Sequence, residues 1–370
     1  MLIGSAWATA VATREICKHR TGSSKFAGSA GGAYTAKVRG PQCPFDSLFK
    51  HDIMQQYHDL MACVLERGQY KPNRTGIGTI ADVGYTVKYD LREGFPAVTT
   101  KKLFFDAVKG ELLGFFRGYT NAADFRKLGC RIWDQNANET PAWVNNPHRK
   151  GTDDLGRIYG AQWTAWRDTR IVYRDEEAKK LEAAGFECKA FDPTRGAWVF
   201  ERTINQLEEA LRMLLTDPFN RRIAVSGWRP DEFDRMALAP CHSHYHWSLM
   251  PDRVLHSTLL IRSNDLFLGH AFNAASLALF THIMARLAGV EAGTATIFIA
   301  DAHIYENHVE QVKEQLSRSH YPPPKLVLSD RIRKVETLDE IKGVFERIEP
   351  EDIRLEGYQC HPAIKAPMAA

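Results

Sequence analysis

The stretch Met236-Ala-Leu-Ala-Pro-Cys-His-Ser-His-Tyr-His-Trp247 places one thiol, Cys241, between a proline and a histidine. Cysteine attacks as the thiolate, and a nearby cation or base raises the thiolate fraction. Cys241, with His242 beside it, is therefore a candidate nucleophile. Pro240 has no N–H and a fixed φ, so it interrupts or edges a strand. That would lift the thiol out of the regular ladder, where a substrate could meet it. The plain alternative is a small buried hydrophobe, because free cysteine is among the most buried residue types.

Other residues could complete a site around that thiol. Glu111 sits inside the apolar run 108–116, where a carboxylate is costly unless paired or used. Arginines are scattered, at Arg74, at Arg221 and Arg222, and at Arg262 beside Ser263. Guanidinium forks bind phosphate oxygens bidentately, so arginines with a serine suit a phosphate monoester. Neighbours in a strand point to opposite faces, so Arg221 and Arg222 serve one anion only from a loop edge, or else serve different places. The turn Asn73-Arg-Thr-Gly-Ile-Gly-Thr79 could offer N–H groups to an anion, or be only a hairpin. The amide of Asn273 presents a donor and an acceptor, which can read the edge of a pyrimidine. Ile132-Trp-Asp-Gln-Asn-Ala-Asn138 and Leu155-Gly-Arg-Ile-Tyr-Gly-Ala-Gln-Trp163 supply aromatic and amide groups of the kind that stack on flat heterocycles.

The elements that must position these residues are α+β in character. The positions of Leu48, Ile53, Tyr57, Leu60 and Val64 share a helical face. A strand is predicted from Val83 to Tyr89, a helix through Phe116, a loop over 141–154 and a helix over 204–215. Strands are predicted over 223–228 and 254–261, and a buried helix over 274–287, apolar nearly all round. Asp301-Ala-His-Ile-Tyr305 is read as following a strand, and Pro322–Pro324 as a rigid connector. Residues 167–202 are charged and read as a surface insertion. No regular βαβ alternation appears, which argues for one large mixed sheet with helices packed on it.

Composition limits the function. A chain of 370 residues can bury one large core. A net charge of +3 is too small to argue for nucleic-acid binding. Seven cysteines, odd in number and without metal-ligand spacing, point to free thiols in a reducing, cytoplasmic setting. No apolar run approaches the ~20 residues of a membrane span. Residues 1–45 are basic, with Glu15 as the single acid, and read as a flexible extension or a transit peptide. Residues 46–370 read as one catalytic domain.

From about Arg74 to its end the chain resembles the thymidylate synthase family. The motifs fall in order: Arg74-Thr-Gly-Ile-Gly-Thr79, Phe95-Pro-Ala-Val-Thr-Thr-Lys101, Glu111-Leu-Leu113, Ile132-Trp-Asp134, Leu155 to Trp163, Arg221-Arg-Ile223, Met236 to His242, Arg262-Ser-Asn-Asp265, Leu268-Gly-His-Ala-Phe-Asn273, Asp301 to Tyr305, and the tail from Gly357 through Pro367. The resemblance implies a homodimer through the sheet face, with active sites shared between subunits. It implies transfer of a one-carbon unit from 5,10-methylenetetrahydrofolate to C5 of dUMP, giving dTMP and dihydrofolate, with neither a metal nor a nicotinamide. Cys241 would add to C6. Arg74, Arg262 and Ser263 would hold the phosphate, joined by Arg221 and Arg222 of the other subunit. Asn273 would read the uracil edge, with His242 also at the substrate, and His303 with Tyr305 would hold the sugar hydroxyl. Glu111 would manage protons at the base and Tyr159 would help remove the C5 proton. Trp133, Asp265, Gly269 and Ala369 would line the folate, with Asp265 also in the catalytic set.

Some residues depart from the family pattern. Gly114 stands where many members have tryptophan, His246 where many have glutamine, and Ala271 where proline is usual. Ala370 ends the chain where a larger aliphatic residue is common. A smaller end would close the site less well against water, which keeps open a dUMP 5-hydroxymethyltransferase. A non-catalytic nucleotide- or RNA-binding protein using the basic extension is a third reading, against which the intact Cys241, Glu111 and Asn273 weigh.

Overall fold

The computed structural model describes residues 53–73 and 76–367. Arg74, Ala369, Ala370 and the 1–45 extension lie outside the described residues. In chain order the strands are β1 (Gln69–Lys71), β2 (Thr79–Asp90), β3 (Trp166–Val172), β4 (Glu187–Asp192), β5 (Ala197–Ile204), β6 (Ala224–Ser226), β7 (His242–Leu249), β8 (Val254–Ile261), β9 (Asn264–Asp265) and β10 (Glu291–Tyr305), followed by the separate antiparallel pair β11 (Lys325–Leu328) and β12 (Ile353–Glu356). The large sheet runs β1-β2-β10-β8-β7-β6, with β9 alongside β10. β10 pairs parallel with β8 and β9, and antiparallel with β2. β7 is antiparallel to β6 and β8. The sheet is mixed and helices flank it, so the α+β expectation holds.

Period-two alternation makes these strands. Tyr245, Trp247 and Leu249 of β7, Leu255, Leu259 and Ile261 of β8, and Ala295, Ile297 and Ile299 of β10 are buried. His244, Ser248, Leu260 and Phe298 alternate with them and are exposed. Against the buried side packs the helix His270–Ala288, whose residues are buried nearly all round. The Ser257 and Thr281 hydroxyls, 2.6 Å apart, pin that helix to β8. Gly289 ends it in the left-handed conformation, at φ 67°, which costs glycine little.

Several boundaries differ from the sequence reading, and residues 141–144, expected in a loop, form a short helix, Pro141–Val144, with proline in its first turn. The buried helix begins at His270 rather than Ala274, because polar His270 and Asn273 hide its first turn from an apolar pattern. Asp301–Tyr305 is not a segment after β10 but its end. Pairing with β2 continues to Tyr305 opposite Thr79, and Ala302 and Ile304 are fully buried. β2 correspondingly starts at Thr79, ahead of Val83, where it meets β1. Residues 166–204 form their own sheet, ordered β3-β5-β4, with a helix Asp175–Ala183 and a small core of Ala178, Phe186 and Phe200.

The helix Phe105–Phe116 carries Glu111 and packs on the central helix through Phe116 and Phe280, whose rings lie 5.0 Å apart. Gly114 lies under Phe125. A Cβ at Gly114 would sit 2.3 Å from the Phe125 ring. That ring is fully buried and packs edge-on against Phe115 at 5.7 Å. The space a large side chain at 114 would need is therefore occupied by Phe125. We expect Gly114→Ala to destabilise the fold, since overpacking costs about 1–3 kcal/mol and the helix-propensity gain is at most about 1 kcal/mol. A thermal melt showing an unchanged or higher Tm would contradict this.

Candidate active site

The sheet register gathers the candidate residues at one edge. His242, the first residue of β7, pairs with Ile261, the last of β8, and Ile261 also pairs with Ile299 of β10. β9 then pairs with the end of β10, Asn264 opposite Ala302 and Asp265 opposite His303. Cys241, Arg262, Ser263, Asp265, His303 and Tyr305 thus sit at, or just beyond, neighbouring ends of these strands.

Cys241 lies just before β7, half-buried, where backbone groups need partners outside the regular ladder. Side chains meet that need. The Cys241 N–H donates to the Tyr159 hydroxyl at 2.6 Å, and the His242 N–H approaches the same oxygen at 3.4 Å. The Arg262 guanidinium donates to the carbonyls of Pro240 and Ala239, both at 2.9 Å, and the Arg262 N–H to the Cys241 carbonyl at 3.0 Å. Much of this arginine therefore shapes the thiol loop, a use that its sequence context did not reveal. Burial raises the Tyr159 pKa well above its usual value, so it stays a phenol. Its oxygen accepts from the loop, and its own proton is left for another acceptor.

Glu111 reaches this group through aromatic contacts. The Trp133 Nε1–H donates to its carboxyl at 3.0 Å, and the Trp133 and Tyr159 rings are 6.0 Å apart. Burial pushes the Glu111 pKa up to about 8, against the pull of the Trp133 N–H. A carboxyl in that state holds a proton at neutral pH and can release it to a substrate. His242 is moved the other way, to about 4, because burial disfavours the imidazolium. It stays neutral, with Nδ1 2.8 Å from the Tyr245 hydroxyl and a hydrogen bond to the Asn273 side chain.

A buried relay holds Asn273. Its Nδ2 donates to Asn264 Oδ1 at 3.3 Å. Asn264 Nδ2 lies 2.7 Å from His270 Nδ1, and His270 Nε2 is 2.7 Å from the Tyr89 hydroxyl. Burial lowers the His270 pKa to about 3, so the ring is neutral. An amide nitrogen donates to its Nδ1, so His270 carries its proton on Nε2 and turns it to Tyr89. The relay thereby settles which way the Asn264 amide faces, and so what Asn273 meets. Sequence reading missed Tyr89, Asn264 and His270. Their one local signal is polar residues in otherwise apolar runs.

His303 Nδ1 lies 2.8 Å from Asp301 Oδ1, and Lys71 pairs with the other carboxylate oxygen. The His303 contact leads in drawing the Asp301 pKa down to about 2. With Nδ1 committed, Nε2 is the nitrogen His303 can offer a ligand. The Tyr305 ring stands perpendicular to it, centroids 5.3 Å apart. Asp265 Oδ1 accepts from the Phe267 and Leu268 N–H groups at 2.9 and 3.1 Å. Its second oxygen has no hydrogen-bond partner among the described residues. Gly269 closes this turn with its N–H on the Asp265 carbonyl at 3.0 Å, and a Cβ there would meet the same oxygen at 2.9 Å. Lys101, also missed, braces the turn from below, its ammonium on the Phe267 carbonyl and 3.8 Å from the Phe267 ring centre.

Arg221 and Arg222 are not part of this gathering. They precede β6, whose Ala224 pairs with His246, five residues along β7 from Cys241. At ~3.3 Å per residue that is about 17 Å from the thiol. Both are exposed, and neither has an ion-pair partner among the described residues. His246 Nε2 contacts the Arg221 carbonyl at 3.0 Å. Among the described residues no cluster of His, Cys, Asp or Glu is arranged to hold a metal ion, and no helix is long and apolar enough to cross a membrane.

A thiol at a sheet edge, with a proton-bearing carboxyl and an oriented amide nearby, is the equipment of an enzyme that works through a covalent cysteine adduct. The family follows from the sequence: a model of the family described as thymidylate synthase matches residues 55–370, and the chain belongs to that family. It is 44% identical over 322 residues to a protein of Pseudomonas syringae pv. tomato named thymidylate synthase, an alignment spanning 85% of this chain and all of the relative. Proteins of that name from Bordetella parapertussis and Listeria monocytogenes are 41% and 40% identical over 324 and 332 residues, again with 85% of this chain and all of each relative covered.

The raised pKa of Glu111 has a consequence for stability. Unfolded, this carboxyl ionises near 4.5, while folded it holds its proton to about 8. Between those values the native state binds more protons than the unfolded one, so stability falls as pH rises. Glu111→Gln removes that slope. Relative to the parent protein it should gain stability from pH 5 to pH 8, by about 1.4 kcal/mol per pH unit at most. Chemical denaturation of both proteins across that range measures it, and parallel profiles would mean the carboxyl is ionised when folded.

Proposed function

We propose that this chain is a thymidylate synthase in activity, acting in the cytoplasm on dUMP, with 5,10-methylenetetrahydrofolate as co-substrate. The observation that carries this reading is the seating of Cys241 by Tyr159 and Arg262 at the edge where Asn273 and Glu111 converge. The Cys241 thiolate adds to C6 of the uracil, leaving an enolate whose carbon at C5 is nucleophilic. The folate supplies both the carbon and the hydride that make the methyl group. Glu111, carrying a proton, serves the base carbonyl as it becomes an enolate. Tyr159, a phenol with its oxygen tied to the loop, assists loss of the C5 proton. Asn273 and His242 hold the base edge, while His303 and Tyr305 hold the sugar hydroxyl. Trp133 and the turn at Asp265 and Gly269 fit a flat heterocycle with N–H donors, because the second Asp265 oxygen is available to accept.

The phosphate would be held by Ser263, the remaining Arg262 nitrogen and arginines of a second subunit. The sheet exposes Val83, Leu260 and Phe298, the kind of apolar surface that an identical copy can cover. A homodimer through that face supports the placement of Arg221 and Arg222, which are remote from their own thiol, at the partner's site. Cys63, Cys130, Cys188, Cys241 and Cys360 form no disulfide among the described residues, which supports a reducing compartment.

Cys241→Ser is expected to abolish turnover while nucleotide affinity stays within about an order of magnitude, because a hydroxyl is a far poorer nucleophile at neutral pH. Steady-state assay and dUMP titration measure the two effects, and full turnover in the variant would remove Cys241 from the mechanism. Mass analysis of the parent enzyme's product should give dTMP. A nucleotide one oxygen heavier would show water, and not hydride, reaching the exocyclic methylene.

The shared site makes a separate prediction. Arg222→Ala and Cys241→Ser subunits, each inactive alone, should regain activity when mixed, because one site of the heterodimer keeps both groups. No recovery, with heterodimers shown to form, would mean that each chain builds its site alone.

A further inference from the structure

Beside the root of the inserted sheet lies a cavity of about 360 Å³ that shares no residue with the Cys241 site. Its size is within the range of small-molecule sites. Cations reach it from four parts of the chain: Lys150 from the loop before Asp154, Arg157 ahead of the helix Tyr159–Thr164, Arg167 from β3, and Arg235 from the turn Pro230–Arg235. Thr120 and His148 complete the polar wall.

The carboxylates nearby do not balance these charges. Asp154 lines the cavity but is buried, and its oxygens accept from the Lys150 and Gly156 N–H groups at 2.7 and 3.1 Å. Glu232, buried, is shared among Arg157 at 2.7 Å, Arg167 at 3.6 Å and Arg229 at 3.8 Å. Asp234 faces His148 at 3.3 Å. Lys150 and Arg235 have no ion-pair partner among the described residues. Like charges held around one concave volume repel, and an anion placed between them relieves that repulsion. A flat carboxylate fills one guanidinium fork. A tetrahedral anion offers oxygens in several directions, which suits cations converging from separate elements.

We propose that this cavity is a second anion site that takes a phosphate-bearing ligand. It is built partly by the insertion, through Arg167, and it backs onto the network that steadies the nucleophile. Glu232 also accepts from Gln162 at 2.7 Å, on the helix that carries Tyr159. The proposal stands apart from the substrate assignment, except that the test uses dUMP to fill the catalytic phosphate site.

The experiment titrates pyrophosphate into the full chain saturated with dUMP, by calorimetry at low ionic strength. Saturable binding is expected, weakened about tenfold or more in Lys150→Ala/Arg235→Ala, which removes the two cations that have no ion-pair partner among the described residues. In the absence of pyrophosphate that variant should keep the parent kcat and dUMP KM, which also shows that it folds. Glutarate, a flexible dicarboxylate, should bind far more weakly. No saturable pyrophosphate binding, or binding undiminished in the double variant, would overturn the site. Glutarate binding as tight as pyrophosphate would overturn its assignment to phosphate. If dUMP fails to bind, the substrate reading fails instead, and pyrophosphate binding lost in the double variant still supports the cavity.

Discussion

Backbone that leaves a β-ladder loses its partners, and a buried polar group without one costs about 1–3 kcal/mol. Residues 239–241 stand in that position, and the protein answers with two side chains brought from elsewhere. Tyr159 caps the Cys241 N–H from a short helix, while Arg262 gathers two carbonyls from the end of the adjacent strand. The same bonds that make the loop affordable hold the thiol still. Position and stability are therefore one problem here, and the residues around the thiol are determined by it. Tyr159 must be a phenol rather than a phenyl ring. Arg262 must sit directly beyond β8, because only there does its stem reach back under Pro240.

Two buried carboxyls show how differently the fold can treat the same group. Glu111 lies among Trp133 and apolar neighbours without a cation, and it keeps its proton. Glu232 is equally hidden, yet arginines surround it and its pKa is lowered, with Gln162 and Arg157 bonded to it. Environment alone separates a proton carrier from a structural anchor. Glu111 keeps its proton beside Trp133, whereas Glu232 joins the turn 230–235 to the helix that carries Tyr159.

Much of this was legible in the sequence wherever the signal is local. β8 occupies the span predicted from its strand-like residues, and Pro240 does stand ahead of a strand with the thiol between. Glu111 stood out because a carboxylate in an apolar run is costly unless it is paired or used. The relay through Asn264, His270 and Tyr89 did not stand out, since Tyr89 and His270 are 181 residues apart and each alone looks like a polar residue near an element's end. The double use of Arg262 was hidden because a sequence shows what a guanidinium could bind, not what the loop beside it lacks. The role of Gly114 needed Phe125, a neighbour only in space. The end of β10 was misplaced because the polar Asp301 and His303 interrupt its apolar pattern, and the buried Ala302 and Ile304 fall out of step with Ala295, Ile297 and Ile299.

The pairing of β2 with β10 has a bearing on how the protein comes into being. Asp90 meets Thr294, so the two central strands are joined across some 200 residues of intervening chain. Ribosomes add roughly 5–20 residues per second, which leaves β2 without its partner for tens of seconds after it emerges. Through that interval a twelve-residue strand presents open N–H and C=O groups and one apolar side to whatever is near. Contacts so distant also slow the search once the chain is released. Newly made copies thus pass through a sticky stage before β10 arrives, and the yield of active enzyme in a crowded cell depends on what shields that edge until then.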